Sequence, residues 1–381
     1  MDVKRSLLFS IAAVAALAVA MPGVAATVKG PAAGKTVKIG VIADVTGAAA
    51  VYGVSQKNAY DLANDDLKSG RIDTGGANLS FDVQDAASDG NQVVNLFQKF
   101  TTDGTTPLVL GPTLSGEAKR GDPVAVRASM PVLGTSTTAD GITDLGPCVF
   151  RVSLSEAQVI PTTVAKTHAL WKYKTAAIIY GDDNAFTKTN GDIFKDQLDK
   201  AGVQIVDTET FHQGDKDFQA SLTKIQAKKP DVLVIGALFP EGTKIIEQAT
   251  KLGFKTHMMG GNGLNSSQMY DVAGPGARGT VVGAAWFLGG GYSGNAAFVA
   301  NYKKKFGSDP DQFAAQSYAA AQVAAELVRA GKITKADMCT GLRDLHIVQT
   351  VLGPIAFDAN RDVRSAPVIL QIVKGGFAYL H

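Results

Sequence analysis

The stretch "TAAIIYGDD", residues 175–183, sets Ala176, Ala177, Ile178, Ile179 and Tyr180 in an unbroken apolar row before Gly181 and two aspartates. A strand with one wet face alternates apolar and polar residues, whereas a strand covered on both faces reads as a continuous apolar run. Working outward, apolar β-branched runs, several of them continuous, recur from Val37 to Phe287: "VKIGVIADV", "LSFDVQDA", "PLVLGP", "MPVLGT", "CVFRVSL", "VQIVDTETF", "DVLVIGAL" and "TVVGAAWF". Between them lie helical patterns such as Lys244–Gly253, "KIIEQATKLG", which ends on a glycine. This repetition predicts an α/β fold of mainly parallel sheets with helices on both faces.

The chain opens "MDVKRSLLFSIAAVAALAVAMPGVAA", with Lys4 and Arg5 ahead of an uncharged core from Ser6 to Ala20 and small residues at Val24-Ala25-Ala26. That is the pattern of a secretory signal peptide over 1–26. No cysteine follows the apolar core to carry a lipid, and no other stretch approaches membrane-spanning length. The remainder of the chain is long enough for two domains with separate cores. The 37 basic and 35 acidic residues are interspersed, and a net charge of +2 argues against nucleic acid as a partner. Cys148 and Cys339 could pair in an oxidising compartment, and nothing in their setting resembles a metal site.

Ligands of open α/β sheets bind beyond the carboxyl ends of the strands. The segments there are "DVTGAAAVYG" (44–53), "GPTLSG" (111–116), "GTSTTA" (134–139), "GDDNAFT" (181–187), "GALFPEG" (236–242), "GGNGLNSS" (260–267) and "WFLGGG" (286–291). They are rich in glycine, hydroxyl and aromatic residues, and none arranges a nucleophile with its base. Gly289–Gly294, "GGGYSG", matches a dinucleotide fingerprint but lacks the acid at the end of a following strand. Asp309 and Asp311 flank Pro310 in what reads as a turn between helices. His168, His212, His257, His346 and His381 are scattered without ligand spacing. Asp182-Asp183 and Asp82/Asp85 are expected to cap helices rather than catalyse. No catalytic residue, metal or cofactor is therefore expected.

These pieces, in order through nearly the whole chain, resemble the periplasmic solute-binding proteins of branched-chain amino acid ABC importers, the leucine/isoleucine/valine-binding group. Further matching pieces are "FDVQDAASDGNQVVNLFQKF", "AAQSYAAAQVAAELVRA" and "LGPIAFDANRDV". The resemblance implies a two-lobed clamshell with three hinge crossings, the type I periplasmic binding fold. Lobe 1 would be 36–150 plus 286–363, and lobe 2 would be 151–285 plus 366–381. It implies a periplasmic protein, a monomer, that closes its cleft on a small carboxylate and serves membrane permease subunits. A ligand sensor on the same fold is the alternative, and an enzyme using Asp182 or Asp183 is the third reading.

In "PVLGTSTTAD", 131–140, four hydroxyl residues follow a short apolar run without a charge. The resemblance assigns Ser115, beside Leu114, and Thr138 to the ligand carboxylate, with Ser136 and Thr137 supplying backbone. Helix N-terminal dipoles make neutral donors sufficient; a Ser/Thr turn and a pair of helix caps are the plainer readings. Tyr52 matches a residue that covers the ligand. Phe186-Thr187 stands where the family often carries Tyr-Gly, and Leu238 where a tyrosine is common. Asn262 replaces the glutamate that pairs an α-ammonium. The expected ligand is thus an aromatic or branched carboxylate or 2-oxo acid, its apolar end against Phe186, Leu238 and Trp286. Asp182, Asp183 and Glu241 could substitute for the missing acid, which leaves a hydrophobic amino acid open. Trp286 reads equally as hinge packing.

Overall fold

The computed structural model describes residues 29–381, so the segment read as a signal peptide lies outside the described residues. The first half of the chain alternates β1 (Thr36–Ala43), α1 (Ala50–Lys68), β2 (Asn78–Asp85), α2 (Gly90–Thr102), β3 (Val109–Leu110), α3 (Ser115–Arg127), β4 (Val132–Gly134) and β5 (Val149–Arg151). Next come α4 (Glu156–Trp171), β6 (Thr175–Gly181), α5 (Ala185–Lys200), β7 (Gln204–Phe211), α6 (Gln219–Lys228), β8 (Val232–Gly236), α7 (Phe239–Lys251), β9 (His257–Gly260), α8 (Met269–Ala273) and β10 (Val281–Ala284). The chain ends with α9 (Asn295–Phe306), α10 (Gln312–Arg329), α11 (Lys335–Arg343), β11 (Val348–Thr350), β12 (Gly353–Ile355), β13 (Val368–Val373) and β14 (Gly376–Tyr379).

Two sheets result. The first, β2-β1-β3-β4-β5, is parallel throughout. The second, β14-β13-β10-β9-β8-β6-β7, is parallel apart from the antiparallel β10/β13 and β13/β14 pairs. The run 175–183 forms β6 between β7 and β8, and every residue from Ala176 to Gly181 is buried. The edge strands β2 and β7 keep exposed residues, as a strand with one free side must. This is the two-lobed α/β arrangement, each sheet flanked by helices, that the sequence predicts.

Two features depart from expectation. β9, "HMMG", lacks the β-branched residues that mark its neighbours and is a strand because β8 and β10 enclose it. The apolar runs read from the sequence stop at Phe287, yet the end of the chain adds an antiparallel hairpin, β13–β14.

The chain passes between the sheets three times: after β5, after β10 and before β13. The segment containing α9, α10 and α11 returns to the first sheet, where Phe298, Tyr302, Ala315, Ala319 and Met338 share a core with Ile39 and Val41. Cys148, just before β5, is bonded to Cys339 in α11, Cα atoms 5.3 Å apart, which ties this returning segment to the first sheet. Arg151 joins the first crossing to the third. Its Nε and Nη2 donate to Asp362, the latter at 3.1 Å, and its backbone N–H donates to the Arg361 carbonyl at 3.3 Å. Nη1 donates to the Thr137 and Ala139 carbonyls at 3.1 and 2.8 Å. The Arg151 side chain is 4% exposed, so removing its partner strands a guanidinium away from water. Asp362→Ala should therefore lower stability by about 3–5 kcal/mol, measured by urea unfolding. A loss under about 1 kcal/mol would mean that the crossings do not depend on this pair.

Candidate functional site

The carboxyl ends of both sheets converge on one small cavity, lined by Tyr52, Thr113, Leu114, Ser115 and Ser136 from the first half and Phe186, Leu238, Asn262 and Gly263 from the second, with Phe313 from α10. Its volume is about 20 Å³, room for roughly one water, so an organic acid enters only if the walls part. A wider opening of about 310 Å³ lies beside it, shares Leu114, and is bordered by Glu117, Lys119, Arg120, Asn184 and Gln213.

Tyr52 bridges the two sheets. Its hydroxyl donates to the Gly263 carbonyl at 2.7 Å and accepts from the Phe239 N–H at 2.7 Å, and its ring lies 4.5 Å from that of Phe313. Two glycines permit this approach. A Cβ at Gly53 would sit 2.0 Å from the Asp44 carbonyl oxygen, so α1 can start tight against β1. A Cβ at Gly263 would lie 2.3 Å from the Ala237 oxygen and 2.9 Å from the Phe186 ring.

The hydroxyl segments form a network. Gln56 of α1 donates to Thr135 and Ser136 at 3.1 and 3.0 Å and accepts from Thr113 at 2.6 Å. Ser136 in turn donates to the Thr113 carbonyl at 2.7 Å. Ser115, the first residue of α3, accepts from the Ala139 N–H at 3.2 Å. Neither Ser115 nor Thr138 caps a helix; Leu114 holds the cap position of α3. Of the four hydroxyls in a row, Thr135 and Ser136 thus tie the ends of β3 and β4 to α1 through Gln56, whereas the buried Thr137 hydroxyl has no partner.

Of the predicted residues, Tyr52, Leu114, Ser115, Ser136, Phe186, Leu238 and Asn262 meet at the cavity, and Thr137, Thr138 and Trp286 do not line it. Thr137 offers its carbonyl to Arg151 and Ser153. Thr138 donates to Glu156 at 3.0 Å. Trp286 is buried against Phe298, its indole N–H donating to Asn295 at 2.8 Å, the packing alternative of its two readings.

The helix after β6 is capped by Asn184, which accepts from the Phe186 N–H, and not by the aspartates before it. Asp183 accepts instead from the Gln213 N–H, and Asp85 from Thr46 and Ala87. Asp311 does cap α10. Asp182 and Asp183 are exposed, and Glu241 accepts from the Gly214 N–H at 2.9 Å, so none stands at the Asn262 end of the cavity.

A buried acid behind the Asn262 wall of the cavity, not itself lining it, escaped the sequence reading. Glu156, the first residue of α4, is wholly buried; its Oε1 accepts from Thr138 at 3.0 Å and from the Asn262 N–H at 3.2 Å. Burial lifts its carboxyl to about 7, against the opposing pull of Thr138, the Asn262 N–H, Asn190 and Arg151. The Asn262 amide oxygen accepts from Gln312 Nε2, and Gln312 Oε1 accepts from the Ala285 N–H at 2.9 Å, which ties the second crossing to the cavity wall. Gln56, Gln312 and Phe313 were missed as well, since each reads as an ordinary helix residue.

Two sheets whose strand ends share a cleft, with an aromatic hydroxyl spanning it, define the two-lobed class of ligand-binding proteins. Residues 36–376 match the family model described as periplasmic binding protein. The chain belongs to this family. It is 30% identical over 343 residues to the Leu/Ile/Val-binding protein BraC3 of Rhizobium johnstonii, covering 88% of this chain and 91% of that one. It is 25% identical to a leucine-, isoleucine-, valine-, threonine- and alanine-binding protein of Pseudomonas aeruginosa, covering 87% and 88%. In fold it is similar to the isoleucine complex of the LivJ substrate-binding protein of Streptococcus pneumoniae (TM-score 0.83, 23% identity, 90% and 98% covered). The benzoate complex of an R. palustris solute-binding protein is similar too (TM-score 0.82, 21% identity, 91% and 95% covered). Among the described residues, no helix is long and apolar enough to cross a membrane.

Tyr52→Phe removes the hydroxyl but keeps the ring. The Phe239 N–H and the Gly263 carbonyl then lose their shared partner, at a cost of about 1–3 kcal/mol. Small-angle scattering should show a more open molecule and urea unfolding a lower midpoint; an unchanged profile in both would mean that the closed form does not depend on this bridge.

Proposed function

We propose that this protein is the extracytoplasmic solute-binding subunit of an ABC importer, exported to the periplasm through the leader at 1–26. In this reading it acts as a monomer, closes on a small carboxylate between lobe 1 (36–150 plus 286–363) and lobe 2 (151–285 plus 366–381), and passes it to membrane permease subunits. The observation that carries the reading is the chemistry of the cavity. Its apolar walls, Tyr52, Leu114, Phe186, Leu238 and Phe313, face the N-terminus of α3 with Ser115 and Ser136 beside it. A carboxylate fits that end, because a helix N-terminus and hydroxyl donors stabilise an anion without a buried cation to desolvate. A branched or aromatic group, on an amino or a 2-oxo acid, fits the walls.

A ligand at a hundred times its Kd adds about 2.7 kcal/mol, a rise of a few degrees in melting temperature for a chain of this size. A panel of amino, 2-oxo and aromatic acids should contain at least one that produces such a rise. Ser115→Ala should then weaken that ligand by about ten- to a hundredfold, the loss of one hydrogen bond to a charged group. A panel without any shift, or unchanged binding by the variant, would remove this assignment.

A further inference from the structure

Asp44, just beyond β1, is wholly buried, and Glu117, in the first turn of α3, is 4% exposed. Each acid has one oxygen occupied. Asp44 Oδ1 accepts from the Ser88 N–H at 2.7 Å, and Glu117 Oε2 accepts from the Leu114 N–H at 3.0 Å. Asp44 Oδ2 and Glu117 Oε1 are enclosed, and no N–H or hydroxyl of another residue donates to either. The two carboxyls meet each other, side chain to side chain. Ionised carboxylate oxygens only accept, so two of them in contact away from water require a proton between them. Among the described residues, no group of three acids, histidines or cysteines is placed to hold a metal ion there instead.

We propose that Asp44 and Glu117 share one proton and, through it, act as a positioning pair that holds the N-terminus of α3 at the cleft. Thr113, Leu114 and Ser115 lead from β3 into that helix. They are fastened to the end of β1 twice: by the proton between the acids, and by the Asp44 N–H donating to Thr113 Oγ1 at 3.0 Å. Ser115 is thereby kept at the cavity wall, and one negative charge rather than two stands behind it. The effect on a ligand rests on the reading of this end as a carboxylate site; the shared proton does not.

The surroundings strengthen the grip on the proton. Burial is the main cause; Asp85 at the end of β2 and Asp89, the cap of α2, add negative charge, and the Ser88 and Leu114 N–H groups oppose them. Lys119 and Arg120 of α3, and Asp183 from the second half, border the adjoining opening. The Asp44 carboxyl is lifted to about 6 and that of Glu117 to about 9, so the pair holds a single proton across that interval. In an unfolded chain both carboxyls ionise at about pH 4. The folded protein therefore binds one more proton than the unfolded chain, and this contribution to stability shrinks as pH rises to about 9. Losing the proton places a second negative charge behind Ser115, so affinity for a carboxylate falls above that pH.

The test is urea unfolding of the mature protein, Asp44→Asn, Glu117→Gln and the double variant. Each single amide preserves the junction: its NH₂ donates to the remaining carboxylate while its oxygen accepts from Ser88 or Leu114. The double variant sets two NH₂ groups face to face, so its folding constant should fall about tenfold or more below the product of the single effects. Between about pH 7 and about pH 9, the unmodified protein should lose about tenfold in folding constant per pH unit relative to Glu117→Gln, the slope of one proton. Should Glu117→Gln fail to fold, Asp44→Asn gives the same comparison. Calorimetry with leucine, 4-methyl-2-oxopentanoate and benzoate should show affinity falling about threefold or more between about pH 8 and about pH 10 in the unmodified protein, relative to the single variant. Additive effects in the double variant, parallel pH profiles, or two single variants that both fail to fold overturn the shared proton. Binding with the same pH dependence in both proteins overturns the positioning role. Absence of binding by every probe counts against the carboxylate site and leaves the shared proton standing.

Discussion

The buried guanidinium of Arg151 is the constraint around which the two sheets are joined. A side chain with five donors and a fixed charge cannot be enclosed unless acceptors come to it from several directions. Here they come from the Asp362 carboxylate at the third crossing and from the Thr137 and Ala139 carbonyls after β4. The arginine closes β5 and so lies on the first crossing. One side chain therefore fixes two of the three connections between the sheets and holds the hydroxyl segment at its carbonyls, leaving its hydroxyls and N–H groups to face elsewhere.

The rest of the cleft depends on where those hydroxyls can turn. Gln56 collects Thr113, Thr135 and Ser136, so the ends of β3 and β4 are held at fixed distances from α1. The same helix carries Tyr52 about one turn earlier, and its hydroxyl therefore reaches Gly263 and Phe239 on the other sheet. Gln312 repeats the arrangement from α10, linking Ala285 at the second crossing to Asn262. Each crossing is thus coupled to a residue at or next to the cavity by a single long polar side chain.

The fold was legible in the sequence because burial on both faces leaves a direct signature, the unbroken apolar runs of β6 and β8. β9 was not, because Met258 and Met259 owe their strand conformation to the strands on either side rather than to local preference. The site was legible where function requires unusual composition, as at Ser115, Ser136 and Tyr52. Glu156, behind the Asn262 wall, carried no such signal. An acid in the first turn of a helix complements the helix dipole and looks ordinary in sequence. Nothing local says that Thr138 and Asn262, from different sheets, will close over it. The Asp182-Asp183 pair misled for the converse reason: aspartates after a strand suggest a cap, but Asn184 one residue later has the geometry, and Asp183 serves the β7 end instead.

Neutral donors at the cavity and a buried acid behind its Asn262 wall are two consequences of the same exclusion of water. Hydroxyls and N–H groups stabilise an anion strongly only where solvent does not compete, which is the environment α3 offers at Ser115. In that environment a carboxyl cannot remain ionised without compensation, and Glu156 accordingly titrates far above an exposed glutamate. A cleft open to solvent would relax both effects together: the donors would weaken, and the acid would ionise and hydrate. Enclosure therefore strengthens the donors at Ser115 and raises the cost of ionising Glu156 together, from one cause.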